Sequence, residues 1–149
     1  YKAMVKDESI WLVLPDLGYG LFDPHVEDFP ERVINPGASE QSGMGIAVGL
    51  ALEGKIPVVY SITTFLLWRP AETIRLYVDY EKIKIILAGS GVGRSYEHDG
   101  ISHWADDVPG LLNLWPNIQQ YWPEKKEEIC NILQEMLQSD KPSFIGLKR

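Results

Sequence analysis

The sequence predicts an α/β fold, a doubly wound and mostly parallel sheet with helices on both faces. Three observations carry that expectation. Apolar, β-branched runs alternate with segments of helical period along the chain. The connectors between them are short, as in strand–helix–strand units. The run IPVVYSI at residues 56–62 reads as a strand buried on both faces, as in a parallel sheet under helices. With 149 residues, 45% hydrophobic and 23% charged, the chain can bury a core and is expected to form one domain, residues 1–149.

Taken in order, IWLVLPDL (residues 10–17) reads as the first strand, ending at a turn-rich loop. RVINPG (residues 32–37) is a second, short strand stopped by Pro36 and Gly37. Residues 39–53 form a helix of mostly small and aliphatic residues, with Gly54 just past its end. After the strand at 56–62 comes a helix over about 70–80, with Pro70 in its first turn. KIKIILAG (residues 82–89) is the next strand. A long loop leads to a short helix for which Asp106 is the expected N-cap. NIQQYWP (residues 117–123) is a strand stopped by proline. EKKEEICNILQEMLQ sets Ile129, Ile132, Leu133, Met136 and Leu137 on one helical face, with Cys130 expected as a packed thiol. SFIGLKR closes the chain as the last strand.

Ligands of such sheets bind in the crevice outside the carboxyl ends of the strands. Three loops are expected there: the one before Ser39, one at about 64–70, and one at 89–107. The first delivers Glu40 to the mouth of an otherwise apolar helix. Two readings stay open for it. It answers the helix's positive end, worth about 0.3–1 kcal/mol, or apolar surroundings raise its proton affinity until it exchanges protons near neutrality. The second loop presents Phe65 and Trp68, three residues apart, either as core or as walls for a flat ligand. The third carries His98, Asp99 and His103. Its glycines match neither G-x-x-x-x-G-K-[ST] nor G-x-G-x-x-G. Two histidines five residues apart in a loop fix no metal geometry, so substrate contact and plain loop structure both stay open.

Several function classes drop out. A net charge of −7 with scattered basic residues offers no phosphate-neutralising face, so no nucleic acid is expected as a partner. No apolar run approaches the roughly 20 residues that span a bilayer, and the polar start YKAMVKDESI lacks a signal-peptide core. The single cysteine rules out an internal disulfide and fits a reducing, cytoplasmic location. There is no G-x-S-x-G elbow for a serine nucleophile.

Together these stretches resemble the pyrimidine-binding domain of the transketolase family of thiamine diphosphate enzymes, over residues 16–123 and in the family's order. LPDLG is similar to the first strand and its Asp-containing turn. FPERVINPGASEQ is similar to the segment F-P-x-R-x-x-N-x-G-x-x-E-Q, followed by the small-residue helix and its strand. TTFLLW matches the aromatic stretch, and HDGISHWADD resembles the D-G-x-[ST]-H-Q loop. The resemblance implies a role for Glu40: hydrogen bonding to N1′ of the cofactor's aminopyrimidine, which favours the imino tautomer that takes the thiazolium C2 proton. It implies that Trp68 stacks on the pyrimidine with Phe65 beside it. It also implies that Asp99 and His103, with His98 next to them, contact the substrate, and that Asp16 lies near the cofactor.

The chain departs from the family in places. Trp104 stands where Gln is usual, His98 where Glu or a small residue is common, and the helix that opens the domain is short or missing. No G-D-G motif is present, the element that in the family helps hold the diphosphate and its Mg²⁺. The resemblance therefore implies an excised domain or a minimal subunit that works with a partner chain carrying the diphosphate-binding domain and most of the Mg²⁺ site. No metal ligand is expected in this chain. The implied reaction is transfer of a two-carbon ketol unit between sugar or sugar-phosphate substrates. A deoxyxylulose-phosphate-synthase-like carboligase or decarboxylase, or a non-catalytic assembly module, is the alternative. Gly43, Gly45 and Gly49 allow either a homodimer contact or packing inside the domain.

Overall fold

The computed structural model describes all 149 residues and contains one six-stranded sheet in which every pairing is parallel. The strands are β1 (Ile10–Val13), β2 (Val33–Ile34), β3 (Ile56–Ile62), β4 (Ile86–Ser90), β5 (Gln119–Tyr121) and β6 (Ser143–Leu147), in the order β2-β1-β3-β4-β6-β5. The helices are α1 (Lys2–Lys6), α2 (Asp23–Asp28), α3 (Glu40–Leu52), α4 (Thr63–Trp68), α5 (Ala71–Thr73), α6 (Val108–Leu112) and α7 (Lys126–Gln138). Helix α5 runs on into π-helical turns over Ile74–Tyr80. The chain steps from β1 to β2 in one direction and then crosses back to β3, so the winding reverses between β1 and β3.

Side-chain alternation along the strands divides the interior into two layers. Val13, Val59, Leu87 and Phe144 face the larger core, against Met44 and Ala47 of α3, Leu66 and Leu67 of α4 and Leu112 of α6. Leu12 with Met4 of α1, and Ile86 and Ile145 with Met136 of α7, build the opposite layer. The apolar face expected of α7 packs there, with Ile129, Ile132, Leu133 and Leu137 around Met136. Strand β4 is buried throughout. Strand β3 is covered unevenly: Pro57, Val59 and Ser61 are buried and the residues between them are half-buried.

Four expectations need correction. The stretch at 64–70 is not a loop, because α4 begins directly after β3. Strand β4 starts at Ile86 and not at 82, because Lys82 has a left-handed φ of 57° and the chain turns before it pairs. Cys130 is exposed on α7, on the side away from buried Met136. Asp106 does not cap α6. Asp107 holds that position, without a side-chain bond, and Asp106 pairs with Arg94.

Gly43 and Gly89 sit in tight places between layers, whereas Gly45 and Gly49 sit in open ones. A Cβ on Gly43 would lie 3.1 Å from Pro15 and 3.3 Å from Val13, so α3 rides close to β1 only without a side chain there. Gly45 and Gly49 have nothing within 4 Å, so of the three glycines of α3 only Gly43 serves packing inside this chain. A Cβ on Gly89 of β4 would meet the Thr63 hydroxyl and come within 3.0 Å of Phe144. Gly89→Ala is expected to destabilise by about 1–3 kcal/mol through overpacking. Gly45→Ala is expected to stabilise by about 0.5–1 kcal/mol through helix propensity. Urea denaturation of the two variants checks both signs.

Candidate active site

The carboxyl edge of β1–β3 is tied together by one amide. The Asn35 side-chain oxygen accepts the N–H of Gly37 at 2.9 Å and that of Asp16 at 3.1 Å, linking the turns after β2 and β1. Gly37 takes a φ of 77°, which lets the chain reverse into α3. Ser39 sits at the N-cap but does not cap, since its hydroxyl donates to Ser42. Glu40, the next residue, is 3% exposed. Its Oε1 accepts a hydrogen bond from Ser61 Oγ at 2.9 Å, and its Oε2 accepts one from Arg69 Nη1. Glu40 opens the first turn of α3, as the helix-end reading has it, and its oxygens are engaged in addition by β3 and by the residue that ends α4.

Helix α4 turns the aromatic stretch toward the same edge. Phe65, Trp68 and Arg69 line a cleft of about 310 Å³ together with Thr64, Ile101 and Ser102. The Arg69 guanidinium lies 3.8 Å over the Phe65 ring, a cation–π contact made possible by their spacing of four residues on a helical path. Trp68 is 47% exposed, so its indole is a wall of the cleft and not core.

The long third loop is pinned at several points. Thr64 Oγ1 donates to the Ser102 carbonyl at 2.8 Å, and Ala105 pairs with Gly93. Arg94 binds Asp106 at 2.8 Å and stacks 4.4 Å over Trp104; the hydrogen bond to Asp106 raises the guanidinium pKa above its ordinary value. The Trp104 indole donates to the Glu97 carbonyl, so the residue standing in place of the expected Gln is held in the loop. His103 packs edge-on to Phe65 with ring centroids 4.7 Å apart, and its Nδ1 meets Ser102 Oγ at 2.9 Å.

Of the expected site residues, Phe65 and Trp68 line the cleft, Glu40 lies behind it and is reached through Arg69, and His103 packs on Phe65 without lining the cleft. His98 and Asp99 lie on an exposed 3₁₀ turn, Glu97–Asp99, outside its lining. Asp16 is also outside it, exposed in the turn after β1. There its carboxylate accepts the Tyr19 hydroxyl, a bond that raises the pKa of Tyr19. Sequence reasoning missed Arg69 and Ser61. The signal for Arg69 was its place four residues after Phe65, visible only if the segment is helical. For Ser61 it was a hydroxyl on the buried parity of an apolar strand.

A parallel, doubly wound sheet with a buried acid and an aromatic cleft at its carboxyl edge defines the class as an α/β domain with its candidate site at the switch in strand order. Residues 1–149 match the transketolase pyrimidine binding domain, and the chain belongs to that family. It is 32% identical over 145 residues to an uncharacterized 33.6 kDa protein in the fasciation locus of Rhodococcoides fascians, covering 97% of this chain and 46% of that protein. It is 33% identical over 124 residues to one subunit of the apulose-4-phosphate transketolase of Actinobacillus succinogenes, covering 83% of this chain and 40% of that one. Among solved structures, a split gene transketolase described as an inactive beta4 tetramer superimposes with a TM-score of 0.84 at 28% identity. That match covers 98% of this chain and 47% of the other. The chain thus spans about half the length of these relatives. No helix is long and apolar enough to cross a membrane.

Ser61→Ala would leave one oxygen of a buried carboxylate without its donor. The expected loss of stability at neutral pH is about 1–3 kcal/mol. Combining it with Glu40→Gln, which removes the charge, is expected to shrink that loss; urea midpoints of the four proteins measure the coupling.

Proposed function

We propose that this chain supplies the pyrimidine half of a two-chain thiamine diphosphate enzyme that transfers a two-carbon ketol unit between sugar-type substrates. The observation that carries the reading is a buried carboxylate, Glu40, set behind a cleft walled by Phe65 and Trp68. The residues fit one half of the cofactor. An aminopyrimidine is flat and has a ring nitrogen for a carboxyl group, and the cleft offers two aromatic faces with an acid at its back. They do not fit the other half. No cluster of three His, Cys, Asp or Glu is placed to hold a metal ion, and the Asp106 carboxylate in the cleft is already paired with Arg94. The diphosphate and Mg²⁺ are therefore assigned to the partner chain.

When bound, the cofactor supplies a thiazolium carbon that can be made nucleophilic. The roles of this chain follow from its own atoms. Glu40 would hold a proton between its Oε2 and the pyrimidine N1′, with Ser61 fixing the other oxygen. The exposed indole of Trp68 and the Phe65 ring would orient the pyrimidine and keep water from it. His103, whose Nδ1 is turned to Ser102, would offer Nε2 to a substrate hydroxyl. Asp99 and His98, outside the cleft lining, would reach a substrate only at its outer end, and Asp16 would stand near the cofactor from the β1 side. The open Gly45 and Gly49 surface of α3 suits a contact with a second copy in the assembly, which we place in the cytoplasm.

Titration of thiamine diphosphate with Mg²⁺ tests the reading by calorimetry. Binding is expected with a partner chain bearing a G-D-G motif and to be weak with this chain alone. Tight binding by the chain alone would reveal a diphosphate site here and refute the split. In the reconstituted enzyme Glu40→Ala is expected to lower turnover by about 10²–10⁴-fold with assembly intact, as loss of a proton-transfer group does. Unchanged turnover would remove Glu40 from the mechanism and favour an assembly module.

A further inference from the structure

We propose that Arg69 is an internal stand-in for the cofactor, a gate that neutralises Glu40 until the aminopyrimidine displaces it. The inference rests on the thiamine diphosphate reading above and names a residue that controls access to that site.

The geometry is specific. Glu40 is 3% exposed and does not itself line the cleft, whereas Arg69 does and reaches Glu40 Oε2 with Nη1. Arg69 thus stands between the cleft and the carboxylate. Its guanidinium is planar, donates to the acid from one edge, and lies 3.8 Å over the Phe65 ring. A flat, hydrogen-bonding group stacked against Phe65 with a donor on Glu40 is what a protonated aminopyrimidine would present in the same place. Ser61 occupies Oε1 from the buried side, so Oε2 is the oxygen open to exchange.

The pair is built to open. The two side chains differ sharply in exposure, 46% for Arg69 against 3% for Glu40. Glu40 is anchored by helix and strand, while Arg69 follows the last turn of α4 and can swing into water without unfolding anything. Asp107, on the lining of the same cleft, has no ion pair and offers the released guanidinium a second carboxylate. Without the cofactor, Arg69 spares the buried acid the cost of standing unpaired. With it, the ring nitrogen takes over that duty and Arg69 is left free at the mouth of the cleft.

The test is affinity, read without turnover. Thiamine diphosphate with Mg²⁺ is titrated by calorimetry into the two-chain complex made with wild type, Arg69→Ala, Arg69→Gln, Glu40→Gln and Arg69→Ala/Glu40→Gln. Arg69→Gln keeps part of the stem on Phe65, so a folding defect in the alanine variant does not decide the result. Removing the competing charge is expected to tighten binding about two- to fivefold in both single Arg69 variants, the scale of a half-exposed ion pair. In the Glu40→Gln background the same change is expected to leave affinity as it is. Unchanged or weaker binding in both Arg69 variants would overturn the gate. An equal gain in both backgrounds would show a purely steric obstacle and overturn it as well. Failure of wild type and every variant to bind would instead remove the cofactor reading itself, and the gate with it.

Discussion

A carboxylate shut away from water has to find donors, and Glu40 imposes that requirement on its whole neighbourhood. An ionised acid left unpaired in such a place would cost several kcal/mol. The two donors come from elements far apart in sequence, Ser61 at the end of β3 and Arg69 at the end of α4. They meet Glu40 only because α3 sits close on β1 at Gly43 and because Asn35 draws the turns after β1 and β2 together. Loosening any of these moves the acid away from its partners. The site is thus a consequence of how the first three strands are joined.

Much of this was legible in the sequence. The limits of β3 and the course of α3 follow from an unbroken apolar run and from a small-residue helix ended by Gly54, whose φ is 75°. The importance of Glu40 was legible as a charge where none was expected. Helix α4 was not. It is six residues long, follows a strand without a connector, and opens with two threonines that favour strands, so nothing local announces it. Losing the helix hid Arg69, because residues four apart are neighbours only on a helix. The partner choice of Asp106 was hidden for a related reason: Arg94, twelve residues away, is brought to it by the way the loop closes.

The third loop shows how neighbours in sequence part company in space. His98, Asp99 and His103 lie within six residues, and pattern alone treats them as one polar group. Gly100, with a φ of 79°, turns the chain between them. The 3₁₀ turn before it faces water, while the segment after it is drawn in by Thr64 and lays His103 on Phe65. A hydrogen bond from α4 to a backbone carbonyl 38 residues further on sets which histidine packs on Phe65.

The exposure of Trp68 bears on why one chain would carry half a site. An indole nearly half in water forgoes part of the roughly 1.5–3 kcal/mol that burying a large apolar side chain contributes. Ile101, on the same cleft, is 79% exposed and forgoes more. A cleft complete in one chain would gain by folding a loop over these side chains. Here the third loop contributes Ile101, Ser102 and Trp104 to the lining, and Arg94 and the Glu97 carbonyl fix the Trp104 indole in place, so it does not fold over them. The apolar wall is kept open while the acid behind it is kept closed. On the two-chain reading these are two parts of one arrangement. On that reading the wall would be covered by a surface that arrives with the cofactor, and the acid would stay shielded from water until then.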